Sequence, residues 1–421
     1  MAPQPNPWQS DQKDRYPWTS TTRHVTGGVD THKDLHVAAV LDSSTGRLLG
    51  TASFPTVPGG YAELESWTSG HGIIDRIGVE STGSWGAGLT RHLTGDGIEV
   101  IEVDRPDRKA RHYEGKSDPT DAIAAARAVL SGRATVTPKS RDGAVEAIRT
   151  LEIVYHAAVL DRTRAINQFK ALIVTAPEVI QHRLRKVSFT DQLTRTRRFT
   201  DAGTDPVETQ TRFALRELAG RIRFLNDQTG RLETRIGELV AAHTPALLGV
   251  FGVGPHAAAQ LLAAAGDNPD RLHSEAAFAK LCGVCPLPAS SGKTTRHRLN
   301  RGGDRRANNA LFTIVLVRMR HDPATRAYVQ RRTAQGKSHR EIVRCLKRYV
   351  AREVFTAITN PPADLPTGSE LREMRTERHL SLTAVSSQFG TTPINISRIE
   401  RGLTHDTRLA RRIRDWLHEA A

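Results

Sequence analysis

The sequence predicts a mixed α/β domain, then a helical spacer, a second mainly helical domain and a small all-α module. Three observations lead there. Between residues 25 and 103, apolar runs of strand length come three in series and then alternate with a helix-like stretch, the pattern of a mixed sheet. Two later segments carry side chains suited to an apolar seam at alternating steps of three and four, as long paired helices do. The cations are bunched: seventeen Lys and Arg lie between Lys293 and Arg352, against four acids up to Glu353. That block carries nearly all of the net charge of +15 on 421 residues.

Residues 1–23, rich in Pro, Gln, Asp and Ser, read as a flexible leader. Strands are expected at Val25–Val29, Leu35–Leu41 and Arg47–Phe54, with turn residues Ser43–Gly46 before the third. Ile73–Glu80 and Ile98–Val103 read as two more, around a helix at Gly86–Leu93. This is the element order of a ribonuclease-H-like domain, expected over residues 24–140.

The spacer is expected over residues 141–243. Ile148, Leu151, Tyr155, Ala158, Arg162, Ala165, Phe169 and Leu172 mark one seam. Leu215, Leu218, Ile222, Leu225, Thr229, Leu232, Ile236 and Leu239 mark the other, with Thr229 out of character. Pro177 and the polar Thr194–Asp205 segment separate them, so a helical hairpin, an intersubunit coiled coil or two amphipathic helices on a globular core all fit.

Residues 244–360 turn globular. Gly249–Gly254 leads into an Ala/Leu-rich helix; such a glycine turn either presents N–H groups to a phosphate or makes a plain helix–helix corner. The loop Leu281–Lys293 holds two prolines and Ser290-Ser291-Gly292. A serine beside a cationic block can act as a nucleophile, although Ser-Ser-Gly is also ordinary turn chemistry. Cys282 and Cys285 lack the second pair that zinc needs and read as two core-facing thiols. Lys293, Arg296, Arg298, Arg301, Arg305 and Arg306 open the basic block, whose single sign suits a nucleic-acid backbone. Residues 365–421 carry three short helical signals, at Leu371–Arg375, Ser381–Gly390 and Thr392–Gly402. They resemble the helix-turn-helix of the Cro and phage-repressor class, in which Asn395 and Arg398 would read bases. Nine Arg against eight acids from Asp364 to Glu419 leave this stretch nearly neutral, which also suits a role in protein contacts.

Four acids stand out. Asp30 and Glu80 close the first and fourth strands; Asp118 and Asp121 share one face where a helix begins. Converging carboxylates suit a hard divalent ion such as Mg²⁺, and a metal pair can stabilise both oxygens in phosphoryl transfer. Composition narrows the rest. No apolar stretch is long enough to span a membrane, the first residues lack a secretory apolar segment, and three cysteines cannot build a disulfide framework. A cytoplasmic, nucleoid-associated protein is expected.

Taken together, GVDTHKD, GVEST, KSDPTDA, the heptad spacer, GVFGVG and GVCPLPASSGKTTRHRLNRGGDRR resemble the insertion-sequence transposases with a DEDD, RuvC-like domain and a C-terminal serine domain. The resemblance covers residues 24–360; Pro119 between the two aspartates and the repressor-like tail depart from it. It implies that Asp30, Glu80, Asp118 and Asp121 bind Mg²⁺ and that Ser291, with Ser290 as the adjacent alternative, links covalently to DNA. It further implies a homodimer or tetramer guided by a non-coding bridge RNA, acting on donor and target DNA. Two other readings stay open: a metal-dependent junction-resolving nuclease using water, and a DNA-binding regulator.

Overall fold

The computed structural model describes residues 23–103, 117–202, 205–293, 297–361, 366–402 and 406–419. The leader, apart from Arg23, and Arg296 lie outside them. The chain divides into two units, Met1–Ser140 and Arg141–Ala421.

The first unit holds a five-stranded sheet of β1 (His24–Thr31), β2 (Leu35–Asp42), β3 (Leu48–Pro55), β4 (Ile73–Glu80) and β5 (Val100–Val103), in the order β3-β2-β1-β4-β5. Tight turns make β1–β2 and β2–β3 antiparallel. The β1–β4 and β4–β5 pairs are parallel and need crossovers, which α1 (Pro58–Ser69) and α2 (Ala87–Gly95) supply. One sheet face buries Val29, Phe54, Ile77 and Val79 with Leu64 of α1 and Leu89 and Leu93 of α2. Helix α3 (Asp118–Leu130) contributes Ala122, Ala125 and Val129 to clusters with Val37, Ala39, Ile101 and Val103. This mixed α/β arrangement is consistent with a ribonuclease-H-like domain. Strand β1 runs one residue past Asp30, which is therefore penultimate rather than last, and β5 starts at Val100 instead of Ile98.

The second unit is mostly helical. Helices α4 (Ala144–Thr175) and α7 (Pro206–His243) pack along each other within the one chain. Between them, α5 (Glu178–Leu184) and α6 (Phe189–Thr196) occupy a stretch that reads as a mere separator. Ile180, Leu184 and Phe199 join Phe169, Ile173, Leu215 and Ile222 in a separate core at that end. The two polar seam residues meet: Arg162 donates to Thr229 Oγ1 at 3.3 Å and to Asn226 Oδ1 at 3.4 Å. At the opposite end Val145, Ile148, Ile236 and Val240 enter the core of the following helices.

Those helices are α8 (Pro245–Leu248), α9 (Pro255–Ala265), α10 (Glu275–Leu281), α11 (Arg305–His321), α12 (Pro323–Ala334) and α13 (His339–Thr359). Leu247, Leu261, Phe278, Leu311, Ile314, Val350 and Val354 fill their shared core. In the Gly249–Gly254 turn, Gly252 adopts φ +84°, and buried Arg318 holds both the Phe251 carbonyl (2.8 Å) and the Glu353 carboxylate (2.9 and 2.7 Å). The tail forms α14 (Gly368–Glu377), α15 (Leu382–Gln388), α16 (Pro393–Glu400) and α17 (Thr407–Glu419) around Leu371, Val385, Ile396, Ile399 and Leu417. Arg375 clamps Glu400 through two contacts of 2.5 and 2.9 Å. No described helix is long and apolar enough to cross a membrane.

Candidate active-site elements

Two glycines build the acidic site. Gly28 and Gly78 are register partners on the parallel strands β1 and β4. A Cβ on Gly28 would lie 2.2 Å from Ala126 N; one on Gly78 would lie 2.6 Å from Val129 Cγ2. Only glycine lets α3 lie this close to both strands. Side chains two residues apart on a strand share a face, so Asp30 and Glu80 follow their glycines onto the side that α3 covers. Ser117 caps α3 by accepting from Thr120 N–H, and Pro119 sits in its first turn, where a missing N–H costs nothing. Asp118 is therefore spared the capping role and Asp121 is buried at 2% exposure.

The structure brings Asp30, Asp118 and a residue the sequence reading passed over, His32, into one group. His32 Nε2 lies 3.1 Å from Asp30 Oδ2 and 3.4 Å from Asp118 Oδ1, and the three donor atoms lie within 4.8 Å of one another. The histidine follows Asp30 by two residues at the strand's end, a position the sequence does offer. Burial holds the Asp30 carboxyl above the usual carboxylate range; the adjacent His32 opposes this, and the charges of Asp121 and Asp118 reinforce it. Glu80 Oε1 is likewise buried, and Thr31 Oγ1 donates to the Glu80 carbonyl at 3.0 Å, tying the two strand ends together. Crowded carboxylates of this kind, buried at Asp30 and Asp121 and half-exposed at Asp118, fit a divalent cation, which takes oxygen donors and offsets their repulsion.

Ser290 and Ser291 belong to the other unit. They are exposed in the connection between two short strands, β6 (Leu287–Pro288) and β7 (His297–Arg298), which pair antiparallel. The base of this hairpin is pinned by glycine, since a Cβ on Gly303 would lie 2.2 Å from Gly283 N. Asn308 donates to the carbonyls of Cys282 (2.8 Å) and Gly283 (3.2 Å), and Asn300 to that of Lys280 (3.1 Å). Cys282 is core, its thiol pushed up to about 12 by burial, while Cys285 is only half-buried, so the pair does not share the interior environment expected for it.

Lys293, Arg298, Arg301, Arg305 and Arg306 are exposed around this hairpin and the start of α11. Beside it opens a cleft of about 660 Å³ with Arg298, Arg332, Arg344, Lys347 and Arg348 on its walls. In the tail, Arg398 is exposed on α16, whereas Asn395 is half-buried and donates to Thr391 Oγ1 at 2.9 Å.

Two family models match the chain. Residues 27–176 match the DEDD domain of IS110-type elements, described as a transposase, and residues 245–330 match the transposase IS116/IS110/IS902 family. Over those two segments the chain is similar to transposases of IS110-type elements. Curated relatives from insertion elements match part of the chain as well. An uncharacterised protein of insertion element IS110 from Streptomyces coelicolor is 32% identical over 160 residues, 37% of this chain and 39% of the relative. An uncharacterised protein of insertion element IS900 from Mycobacterium paratuberculosis is 31% identical over 134 residues, 31% of this chain and 34% of the relative. The matched segments thus span little more than a third of each relative. Both the acidic group and the serine hairpin lie inside the matched segments, while the tail, α14–α17, lies beyond them.

Proposed function

We propose that the chain is a DNA transposase that excises and integrates an insertion sequence through a covalent serine intermediate. The carrying observation is the pairing, in one chain similar to IS110-type transposases, of a carboxylate group buried at Asp30 and Asp121 with an exposed serine hairpin beside a cationic cleft. Asp30, Glu80, Asp118 and Asp121 would hold Mg²⁺, which offsets charge building on a phosphodiester when bound. Ser291 Oγ attacks phosphorus, the bond to the DNA 3′-oxygen breaks, and the serine proton ends on the departing 3′-hydroxyl. The phosphoserine conserves the bond energy, so a 3′-hydroxyl from another strand can reverse the step and rejoin DNA. The basic residues from Lys293 to Arg352 grip DNA or a guide RNA, and the tail reads DNA through Asn395 and Arg398. Two protomers or more carry out the exchange.

The decisive experiment seeks a protein–DNA adduct on denaturing gels. With Ser291 intact, an adduct forms in Mg²⁺ and is absent with chelator; Ser291→Ala abolishes it. Strand cutting that survives Ser291→Ala with no adduct at any stage identifies a water-using nuclease instead. Sequencing RNA that copurifies with the full chain tests guidance: a discrete structured RNA supports it.

A further inference from the structure

Lys347 is 8% exposed, an unusual place for an ammonium. Its Nζ contacts Asn308 Oδ1 at 2.9 Å, and among the described residues no carboxylate pairs with it. Burial lowers its pKa from the ordinary lysine range, and neighbouring Arg344 adds to the effect. An ammonium withdrawn from water without a counter-charge is costly unless an anion arrives to meet it.

The surrounding cleft is suited to supply one. Its lining includes six cations, Arg298, Arg332, Lys337, Arg344, Lys347 and Arg348. The acid among its lining residues, Glu341, is spent on capping α13, accepting from Ser338 N–H at 2.9 Å and from its hydroxyl at 2.7 Å. Glu275 holds Arg348. Arg332 Nε is buried with no acceptor among the described residues. The volume, about 660 Å³, accommodates a nucleotide-sized group.

Asn308 makes the cleft consequential. Its side-chain oxygen accepts from Lys347 while its nitrogen holds the Cys282 and Gly283 carbonyls, where the serine hairpin leaves α10. We propose that the cleft seats one phosphodiester of a bound nucleic-acid strand, with Lys347 as its central ligand and, through Asn308, a positioning residue for the base of the serine hairpin. This deepens the reading of the basic segment as a nucleic-acid grip and does not depend on Ser291 being the nucleophile.

The test uses the full chain and short fluorescent single strands, one DNA and one RNA, with binding followed by anisotropy across a salt series. Lys347→Met is expected to weaken binding about tenfold and to lower the salt slope by about one, while Lys347→Arg restores much of the slope. Arg223→Met, which removes an equal charge from α7, serves as the comparison. Loss confined to the DNA strand assigns the seat to DNA; loss confined to RNA assigns it to the guide. A second measurement needs no variant: acetylation of lysines in the unmodified chain, read by peptide mass spectrometry, should show Lys347 shielded when an oligonucleotide is bound. Equal binding by Lys347→Met and Arg223→Met, or equal acetylation with and without oligonucleotide, overturns the proposal. If the unmodified chain binds neither strand, the nucleic-acid reading of the segment falls with it; if it binds normally and only Lys347 is indifferent, that reading stands alone.

Discussion

Asp30 and Asp121 are buried, on a strand and a helix that glycine brings into contact, whereas Ser290 and Ser291 stand exposed above a ladder two residues long. Both places use a glycine whose Cβ would lie 2.2 Å from a backbone nitrogen, Gly28 in one and Gly303 in the other. The same steric device therefore serves a rigid interior in the first unit and the root of a surface hairpin in the second. What differs is how far the surroundings can give. Around Gly28 the neighbours are a central strand and a packed helix; around Gly303 they are the loop backbone of Gly283 and the last carbonyl of α10.

Gly28→Ala should be the more damaging change, costing about 3 kcal/mol as α3 is forced off the sheet. Gly303→Ala should cost about 1 kcal/mol while displacing the hairpin. Chemical denaturation of the full chain, followed by a probe in each unit, measures both. Equal losses would erase the proposed contrast between the two sites.

A pH series sharpens it from another side. His36 in β2 is fully buried, stacks on Tyr61 at 5.7 Å and leaves Nε2 without a partner among the described residues. Burial lowers its pKa from 6.5 to about 4. The unfolded chain therefore takes up a proton below about pH 6.5 that the folded unit refuses until about pH 4. The first unit should be fully stable above that window and lose up to about 3 kcal/mol as pH falls through it. His36→Phe should flatten this dependence, seen as a smaller fall in the first unit's melting temperature between neutral and acid pH. An unchanged slope would mean that another group sets it.

The smallest effect concerns Asp30. Without divalent metal, Asp30→Asn relieves repulsion from Asp121 and Asp118 and should stabilise the first unit by under about 1 kcal/mol. It should also remove any rise in melting temperature on adding Mg²⁺. A metal-induced rise that persists would place the ion elsewhere.

Much of the first unit was legible because its inner strands are buried and apolar. Val25, Val29 and Val37–Leu41 announce themselves. The repeated Gly-Val-Asp and Gly-Val-Glu tripeptides mark the paired strand ends as well. Helix α1 escaped because it opens Pro58-Gly59-Gly60, which looks like a turn, and α5 and α6 escaped because they are short and mostly polar outside. The fourth helix of the tail was also missed. Contacts across long sequence separations were invisible from the start: Gly283 against Gly303, and Lys347 with Asn308, 39 residues apart. Periodicity reports which face is apolar, but it cannot say which distant backbone a glycine or lysine will meet.

The long helix pair of the second unit has a mechanical corollary. Its 32-residue member, α4, extends about 48 Å. One end is mortised into the interior that holds Leu247 and Ile314, while the other bears a cap with its own interior. Between them, the Arg162–Thr229 rung opposes sliding like a single tooth. A push on the cap should therefore be delivered as leverage at the root rather than dissipated along the way.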